Sequence, residues 1–540
     1  MVATRYRTAF QLYPYARVPD QDADAPVRHP VVIVGGGPVG MGLALDLGRR
    51  GLPCVVLDDH DGVGQGSRAI CFAKRTLEIC DRLGCGEPMV DRGVVWKRGR
   101  VFRGEAEIYA FDLLPEAGHR RPAFVNLQQP HFERFLVEEI RRAQAGGAPI
   151  EIRGRNRVTA LDRHDDHVAL EVDTPDGPYR IEARYLVACD GAGSPIREMM
   201  GLGFEGRVFE DNFLIVDIRM RTEMPTERRF WFDPPFNPGE TALLHKQPDD
   251  IWRLDFQLGW EIDRDAELDP ERVRTRVVGM IGPDVSFETV WTSIYTFRCC
   301  TMDRYRHGPV MFAGDSAHQV SPFGARGANG GMQDIDNLGW KLAAVLAGDA
   351  PDALLDSYHA ERKQAAEENI AHSSRSADFL TPRNAAHALF RDAVLDLVGE
   401  VPFARPMVNS GRLSTPCTYD GSPLSGPDAL PGAPARTRPG SACSDASLAE
   451  GFLLDRLTGG FVLLAIGCEL PEAPMAAGLA LGTVAIGPTD DPEGLVAARY
   501  LGAAERGLYL IRPDQHVVAR WLDYDPHAVE AAVTRALGRG

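Results

Sequence analysis

The first strongly patterned stretch of the chain is apolar and β-branched, Pro30-Val31-Val32-Ile33-Val34. A Gly-rich turn at 35–40 follows, and then residues 41–50, where Gly42, Ala44, Leu45 and Leu47 give one small or apolar helical face. Gly51-Leu52-Pro53 stops that helix, and Cys54-Val55-Val56-Leu57 reads as a second buried strand, which completes a β-α-β unit. Residues 1–29, ahead of it, are polar and without periodicity, so they read as an arm laid over the surface. Further on, the pattern is broken and strand-like over 95–124, helical from Pro130 to about 145, and extended over 181–188 with Asp190 at its end. Alternating, aromatic-rich runs at 213–220, 228–232, 241–245, 252–258 and 291–297 predict an antiparallel sheet forming a second domain. The chain then returns to the first domain through a strand at 310–313 and a long helix at about 331–347. Pro, Gly, Ser and Thr dominate 406–439, as in a linker, and the strand patterns at 461–464 and 509–514 beyond it predict a small α/β domain.

Length and charge narrow the class. At 540 residues two or three domains are expected. No run of eighteen apolar residues occurs and no apolar segment follows the charged start, so neither a membrane span nor a secretory signal is expected, and a cytoplasmic protein is. A net charge of -17 disfavours nucleic acid and anionic membrane as partners. The ten cysteines include no Cys-x-x-Cys, so reduced, mostly buried thiols are expected, with no metal site.

Three separated segments carry the candidate chemistry. Gly35, Gly37 and Gly40 form Gly-x-Gly-x-x-Gly between a predicted strand and helix, the dinucleotide fingerprint. The first glycine permits the turn, the second lets backbone approach a pyrophosphate, and the third lets helix and strand pack closely. Asp58, at the end of the second strand, stands where a carboxylate accepts hydrogen bonds from ribose hydroxyls. This segment alone does not separate FAD from NAD. The second segment is Asp190-Gly191 with Ser194 and Arg197; the third runs from Gly314-Asp315 through Pro322-Phe323-Gly324-Ala325-Arg326-Gly327-Ala328-Asn329.

In that order the three segments resemble the group A flavoprotein monooxygenases, the family of para-hydroxybenzoate hydroxylase and the phenol hydroxylases, over about residues 30–400. The resemblance extends to its 3-(3-hydroxyphenyl)propionate hydroxylase-like branch. It implies an FAD enzyme that uses NADPH or NADH and O2 to hydroxylate a phenolic or related aromatic substrate through a flavin hydroperoxide. The alternatives on the same scaffold are a flavin-dependent reductase or oxidase, or a non-catalytic flavin-binding protein. The implied fold is α/β: a Rossmann-like FAD-binding domain (30–105, 125–205 and 297–405) and an inserted antiparallel-sheet substrate domain (106–124 and 206–296). A thioredoxin-like C-terminal domain (414–540) without Cys-x-x-Cys completes it, with packing or homodimer contacts as its implied role.

The resemblance also assigns residues. Asp315 would bond ribityl or ribose hydroxyls, and the helix beginning near Gly327 would aim its N–H groups at the flavin pyrimidine edge. Gly324, Gly327 and Asn329 would let backbone approach the ring, and Pro322 would lie beside flavin and substrate. Arg68 would reach the pyrophosphate, Gln129 would contact the flavin side of FAD, and Asp190 would serve the pyrophosphate region and NAD(P)H. On the substrate side, Arg253, Asp255 and Gln257 share one strand face and Trp252, Leu254, Phe256 and Leu258 the other. Arg253 reads equally as an arginine near the flavin and as an ion-pair partner of Asp255. His245 reads as a relay for a phenolic proton or as a structural histidine. His318 reads as part of the Gly-Asp turn rather than as an acid or base.

Overall fold

The strand Val27–Val34 sits in the middle of a parallel sheet, paired on one side with Tyr179–Ala188 and on the other with Cys54–Leu57. Val310–Phe312 and Ile150–Arg153 extend the sheet outward. Val31, Val32 and Ile33 are fully buried, as expected where both faces of a parallel sheet are covered. The helix Pro38–Arg49 leaves this strand through the Gly-rich turn and packs against the helices Gln129–Ala145 and Gly327–Ala347. Two glycines make that turn possible. Gly35 has φ +110°, and a Cβ there would lie 2.3 Å from the Cys189 carbonyl oxygen, while a Cβ on Gly40 would lie 1.9 Å from the Gly35 carbonyl oxygen.

The computed structural model describes residues 12–64, 66, 68–207, 212–320, 324–380, 382, 384–408 and 415–540. Within that range the N-terminal arm lies against the first domain and is anchored there. Leu12 and Tyr13 are buried, their N–H groups donate to the Asp61 carbonyl at 3.1 Å, and the Tyr13 hydroxyl donates to the Gly62 carbonyl at 2.9 Å. The first strand also begins at Val27 rather than Pro30. Periodicity missed the arm because backbone bonds and single anchors, not an apolar stripe, hold it down.

The second sheet has seven strands, in the order Glu288–Thr296, Asn212–Arg219, Ile251–Gly259, Thr241–Lys246, Arg228–Phe232, Arg98–Arg103, Ala106–Asp112. The five strands between 212 and 296 are antiparallel neighbours, as the alternation predicts. Arg98–Arg103 joins them in parallel to Arg228–Phe232 and forms a hairpin with Ala106–Asp112. The expected boundary between 105 and 106 therefore falls inside a hairpin, because cross-strand pairing holds both strands in one sheet. A helix not foreseen from the sequence, Pro270–Ile281, is capped by the Asp269 carboxylate and packs Val273 and Val277 beneath Trp252, Leu254 and Phe256. That leaves the opposite face of the sheet turned toward the first domain.

At the C-terminus, Asp428–Ala429, Val517–Trp521, Gly507–Ile511, Val462–Ile466 and Gly482–Ile486 form a five-stranded mixed sheet, followed by the helix Pro526–Ala536. The described part of the expected linker is docked rather than free. Tyr419 is buried and its hydroxyl accepts from Arg362 at 2.9 Å, while Arg512 donates to Glu361 at 2.6 Å across the same boundary. All ten cysteines are free, and all but Cys468 are buried. Among the described residues no helix is long and apolar enough to cross a membrane.

Candidate active site

A cavity of about 1220 Å³ runs from the Gly-rich turn to the inner face of the seven-stranded sheet. It brings together Gly35, Gly37, Asp58, Arg68, Gln129, Asp190, Asp315, Gly327, Asn329, His245 and Arg253. Gly40 stands behind the turn, in the strand–helix packing. Pro322 lies outside the described residues.

At the nucleotide end the polar groups chiefly hold one another. Asp58 accepts from the N–H groups of Gly36 and His60, and burial still raises its carboxyl above the usual range. Asp190 accepts from the Ser194 hydroxyl at 2.7 Å and from Ile196 N–H at 3.0 Å; burial raises its pKa too. Arg197 donates to the Ser316 carbonyl at 2.9 Å and so ties the Asp-Gly segment to the Gly-Asp turn. Gln129 accepts from Ala69 N–H at 3.2 Å and donates to Glu133 at 2.7 Å. The guanidinium of Arg68 is exposed on the cavity wall.

Three features at this end are left open. Nothing lies within 4 Å of where a Cβ on Gly37 would stand, so its backbone faces free space. Asp315 is reached by water through the cavity yet is densely surrounded, which raises its carboxyl above the ordinary value. Among the described residues no donor reaches its carboxylate. The helix Gly327–Ala347 starts beside it without a side-chain cap, so the free N–H groups of its first turn border the cavity. An unpartnered carboxylate, an open glycine backbone and an uncapped helix start suit hydroxyls, a pyrophosphate and an electron-rich ring edge, respectively. These residues fit FAD.

Asn329 borders the cavity, and its side chain is held internally. Its Oδ1 accepts from Ala73 N–H at 2.8 Å and the Thr76 hydroxyl at 2.6 Å, and its amide donates to the carbonyls of Cys71 and Ala325. The side chain is spent on joining the start of one helix to that of another, and only its backbone is available to a ligand. His318 is bonded through Nε2 to Asp334 at 2.7 Å, behind the Gly-Asp turn. Asp334 also accepts from Gly314 N–H at 2.9 Å and Arg362 at 2.6 Å. Burial would raise its carboxyl, but the His318 and Arg362 charges hold it at about 2.

The other end of the cavity is one face of the sheet. Phe213, Ile215, Leu243, His245, Arg253 and Asp255 border the cavity, while Trp252, Leu254 and Phe256 face the 270–281 helix, as alternation requires. Arg253 forms the ion pair with Asp255, Nε donating at 2.7 Å, and its Nη1 donates to the Arg68 carbonyl at 2.7 Å. The ion pair is buried rather than superficial. His245 lies across from Arg253 in the register, and its Nδ1 has no partner among the described residues. Burial, reinforced by the charges of Arg228 and Arg253, keeps its pKa well below the ordinary value, so the imidazole is neutral.

Sequence reasoning passed over three residues here. Glu133 is buried, accepts from Gly64 N–H at 2.7 Å and has its pKa raised by burial; its i,i+4 spacing from Gln129 was the available signal. Tyr13 borders the cavity from the arm, which carries no motif. Arg228 borders the cavity from the edge of the sheet face, and its run 228–232 carries only a strand pattern.

Residues 28–373 match the family model described as FAD binding domain. The chain is 34% identical over 377 residues to a probable NADH-specific resorcinol 4-hydroxylase of Rhodococcus jostii (strain RHA1), covering 67% of this chain and 68% of that protein. It is 31% identical over 520 residues to a 12-dehydrotetracycline 5-monooxygenase/anhydrotetracycline 6-monooxygenase of Streptomyces rimosus subsp. rimosus, covering 91% and 95%. Its fold matches the crystal structure of the flavin-dependent monooxygenase PieE in complex with FAD and substrate at a TM-score of 0.79 and 22% identity, over 96% of this chain and 100% of that one. With the family model spanning most of the chain and the relatives aligning along its length, this protein belongs to the family of FAD-dependent aromatic monooxygenases.

Proposed function

We propose that the chain hydroxylates a phenolic or related aromatic compound, with FAD as the bound cofactor, NADH or NADPH as the transient reductant and O2 as the oxygen source. The observation that carries this reading is the cavity itself: an Asp315 carboxylate that no donor among the described residues reaches and a helix start without a side-chain cap at one end, and Phe213, Ile215 and Leu243 beside a neutral His245 at the other. FAD bound there supplies the redox chemistry and the oxygen activation. The protein's own part is positioning, charge placement and exclusion of water.

In this reading the Gly37 backbone and the Arg68 guanidinium hold the pyrophosphate, which a planar fork of donors suits. Asp58 and Asp315 take ribose and ribityl hydroxyls, and the first-turn N–H groups from Gly327 to Asn329 stabilise negative charge at the pyrimidine edge. Gln129 braces the segment around Ala69 on the flavin side, and Asp190 shapes the turn that borders the nicotinamide approach. Phe213, Ile215 and Leu243 hold the aromatic ring away from water. His245, held neutral beside Arg228 and Arg253, orients the phenolic hydroxyl by hydrogen bonding, which raises electron density on the ring. Arg253 is a positioning residue that joins the sheet to the Arg68 segment. Pro322 is assigned to the flavin–substrate junction on the motif alone.

The tail from 414 is assigned as a thioredoxin-like domain, supported by its mixed five-stranded sheet and following helix; Cys468 stands there without a neighbouring thiol for exchange. Ten free thiols suit the reducing cytoplasm. A homodimer is supported by the exposed apolar side chains Leu389, Phe390, Leu397, Phe403 and Met407, and sedimentation of the full chain tests it. The experiment for the main reading is product analysis under ¹⁸O2 with a phenol panel and NADH or NADPH. One labelled oxygen in the product is expected. NAD(P)H oxidation with no labelled product would leave a reductase or oxidase, and no substrate-stimulated oxidation at all would leave a flavin-binding protein without turnover.

A further inference from the structure

We propose that the N-terminal arm is a working part of the cofactor site: Tyr13 fixes the loop that follows Asp58, and so sets how tightly the adenosine ribose of FAD is held. The inference rests on the FAD reading of the cavity and adds a positioning residue from outside the matched stretch 28–373. Tyr13 borders the cavity at the end that residues 58–62 line. Its hydroxyl donates to the Gly62 carbonyl at 2.9 Å, and a longer contact of 3.5 Å reaches the Gly36 carbonyl. Gly36 in turn donates its N–H to the Asp58 carboxylate. A Cβ on Gly36 would stand 2.6 Å from Asp58 Oδ2 and 3.0 Å from the Tyr13 hydroxyl, so carboxylate and phenol flank one point of the turn. Burial, and after it the charge of Asp58, raises the phenol far above its ordinary value, so Tyr13 stays a neutral donor beside the acidic loop.

The arm is seated on both sides of Asp58. On the loop side, the N–H groups of Leu12 and Tyr13 donate to the Asp61 carbonyl at 3.1 Å. On the strand side, Asp20 pairs with the buried Arg153 at 2.8 Å, and the Arg153 carbonyl accepts from Asp58 N–H at 3.1 Å. The first domain also makes room for the arm: a Cβ on Gly154 would lie 1.9 Å from the Tyr13 carbonyl oxygen. Three independent contacts thus converge on the surroundings of one carboxylate. A loop that must be ordered when ligand arrives loses affinity to that ordering, and a loop already held does not. The arm holds this one in advance, so the carboxylate stands ready for ribose hydroxyls.

The test is calorimetric titration of the full chain, stripped of FAD, with FAD, with ADP, and with the dideoxyribose analogue of ADP, which lacks both ribose hydroxyls. The proteins are wild type, Tyr13→Ala, Tyr13→Phe and Gly154→Ala. Wild type is expected to bind ADP more tightly than the analogue. Tyr13→Ala should weaken FAD and ADP alike, by about 10-fold, and the analogue by less than about 2-fold. Tyr13→Phe, which loses only the hydroxyl, should weaken ADP about 3- to 5-fold. Gly154→Ala displaces the arm without altering Tyr13 and should reproduce the Tyr13→Ala pattern. At saturating FAD the flavin absorbance spectrum should match wild type throughout, because the ring end of the cavity is untouched. Equal loss for ADP and the analogue marks a general loosening and overturns the assignment, as does unchanged ADP affinity. Tyr13→Phe keeps the ring, so the ribose-dependent loss is read there should the other two variants fail to fold. Wild type that binds ADP but no FAD sinks the FAD reading alone, whereas FAD bound with no ribose-dependent effect of the variants sinks the arm's role alone.

Discussion

The two ends of the cavity are built on different principles. At the nucleotide end, residues from short contiguous motifs bond one another: Asp58 to Gly36, Asp190 to Ser194, Asn329 to Ala73 and Thr76. The ligand-facing groups there are chiefly backbone, together with the Asp58 and Asp315 carboxylates and the Arg68 guanidinium. At the sheet end, the facing groups are side chains from strands far apart in sequence, set side by side by register. A nucleotide recognised through backbone turns requires particular short sequences, whereas a substrate recognised through a cross-strand row requires only that the right residue stand at the right step. The first kind of site is therefore written in motifs, and the second leaves the substrate free to change.

Substitutions at the two ends should separate accordingly. Arg253→Met removes one half of a buried ion pair and should cost about 3–5 kcal/mol of stability, seen as a lower denaturation midpoint. FAD per folded chain should be retained; its loss would mean that the bond from Arg253 to the Arg68 carbonyl makes the two ends one unit. At the other end, Gly40→Ala sets a methyl against the Gly35 carbonyl and should cost about 3 kcal/mol, with FAD content falling alongside. A variant as stable as wild type would show that the turn has slack.

Asp334 offers a pH-dependent version of the same contrast. Its folded pKa of about 2 lies below the unfolded value of about 3.9, so its contribution is complete above about pH 4 and lost as pH falls through about 2. The contribution is about 2–3 kcal/mol. Urea midpoints measured from pH 6 to pH 2.5 should fall more steeply in wild type than in Asp334→Asn, and parallel curves would remove Asp334 from the account. The smallest effect on the fold is expected from Asp315→Ala, which should leave stability near wild type. FAD binding should weaken by about 1.5–3 kcal/mol for each charge-assisted hydrogen bond lost. Unchanged FAD affinity would place Asp315 outside the cofactor site.

By itself the sequence determined the β-α-β unit, the five central strands of the inserted sheet and the glycine turn, because each follows from residues within one element's length of one another. The backbone conformation at Gly35 and the periodicity of 252–258 are local facts. Only the tertiary structure decided that residues 98–103 belong to the sheet, that the arm carries Tyr13 to the cavity, and that the 415–439 segment is docked through Tyr419. It also decided that the Asn329 side chain is consumed internally while, among the described residues, no donor reaches the Asp315 carboxylate. The physical reason is common to all of these. A side chain's availability depends on which donors and acceptors come within about 3 Å of it. Here those partners arrive from strands and helices tens to hundreds of residues away.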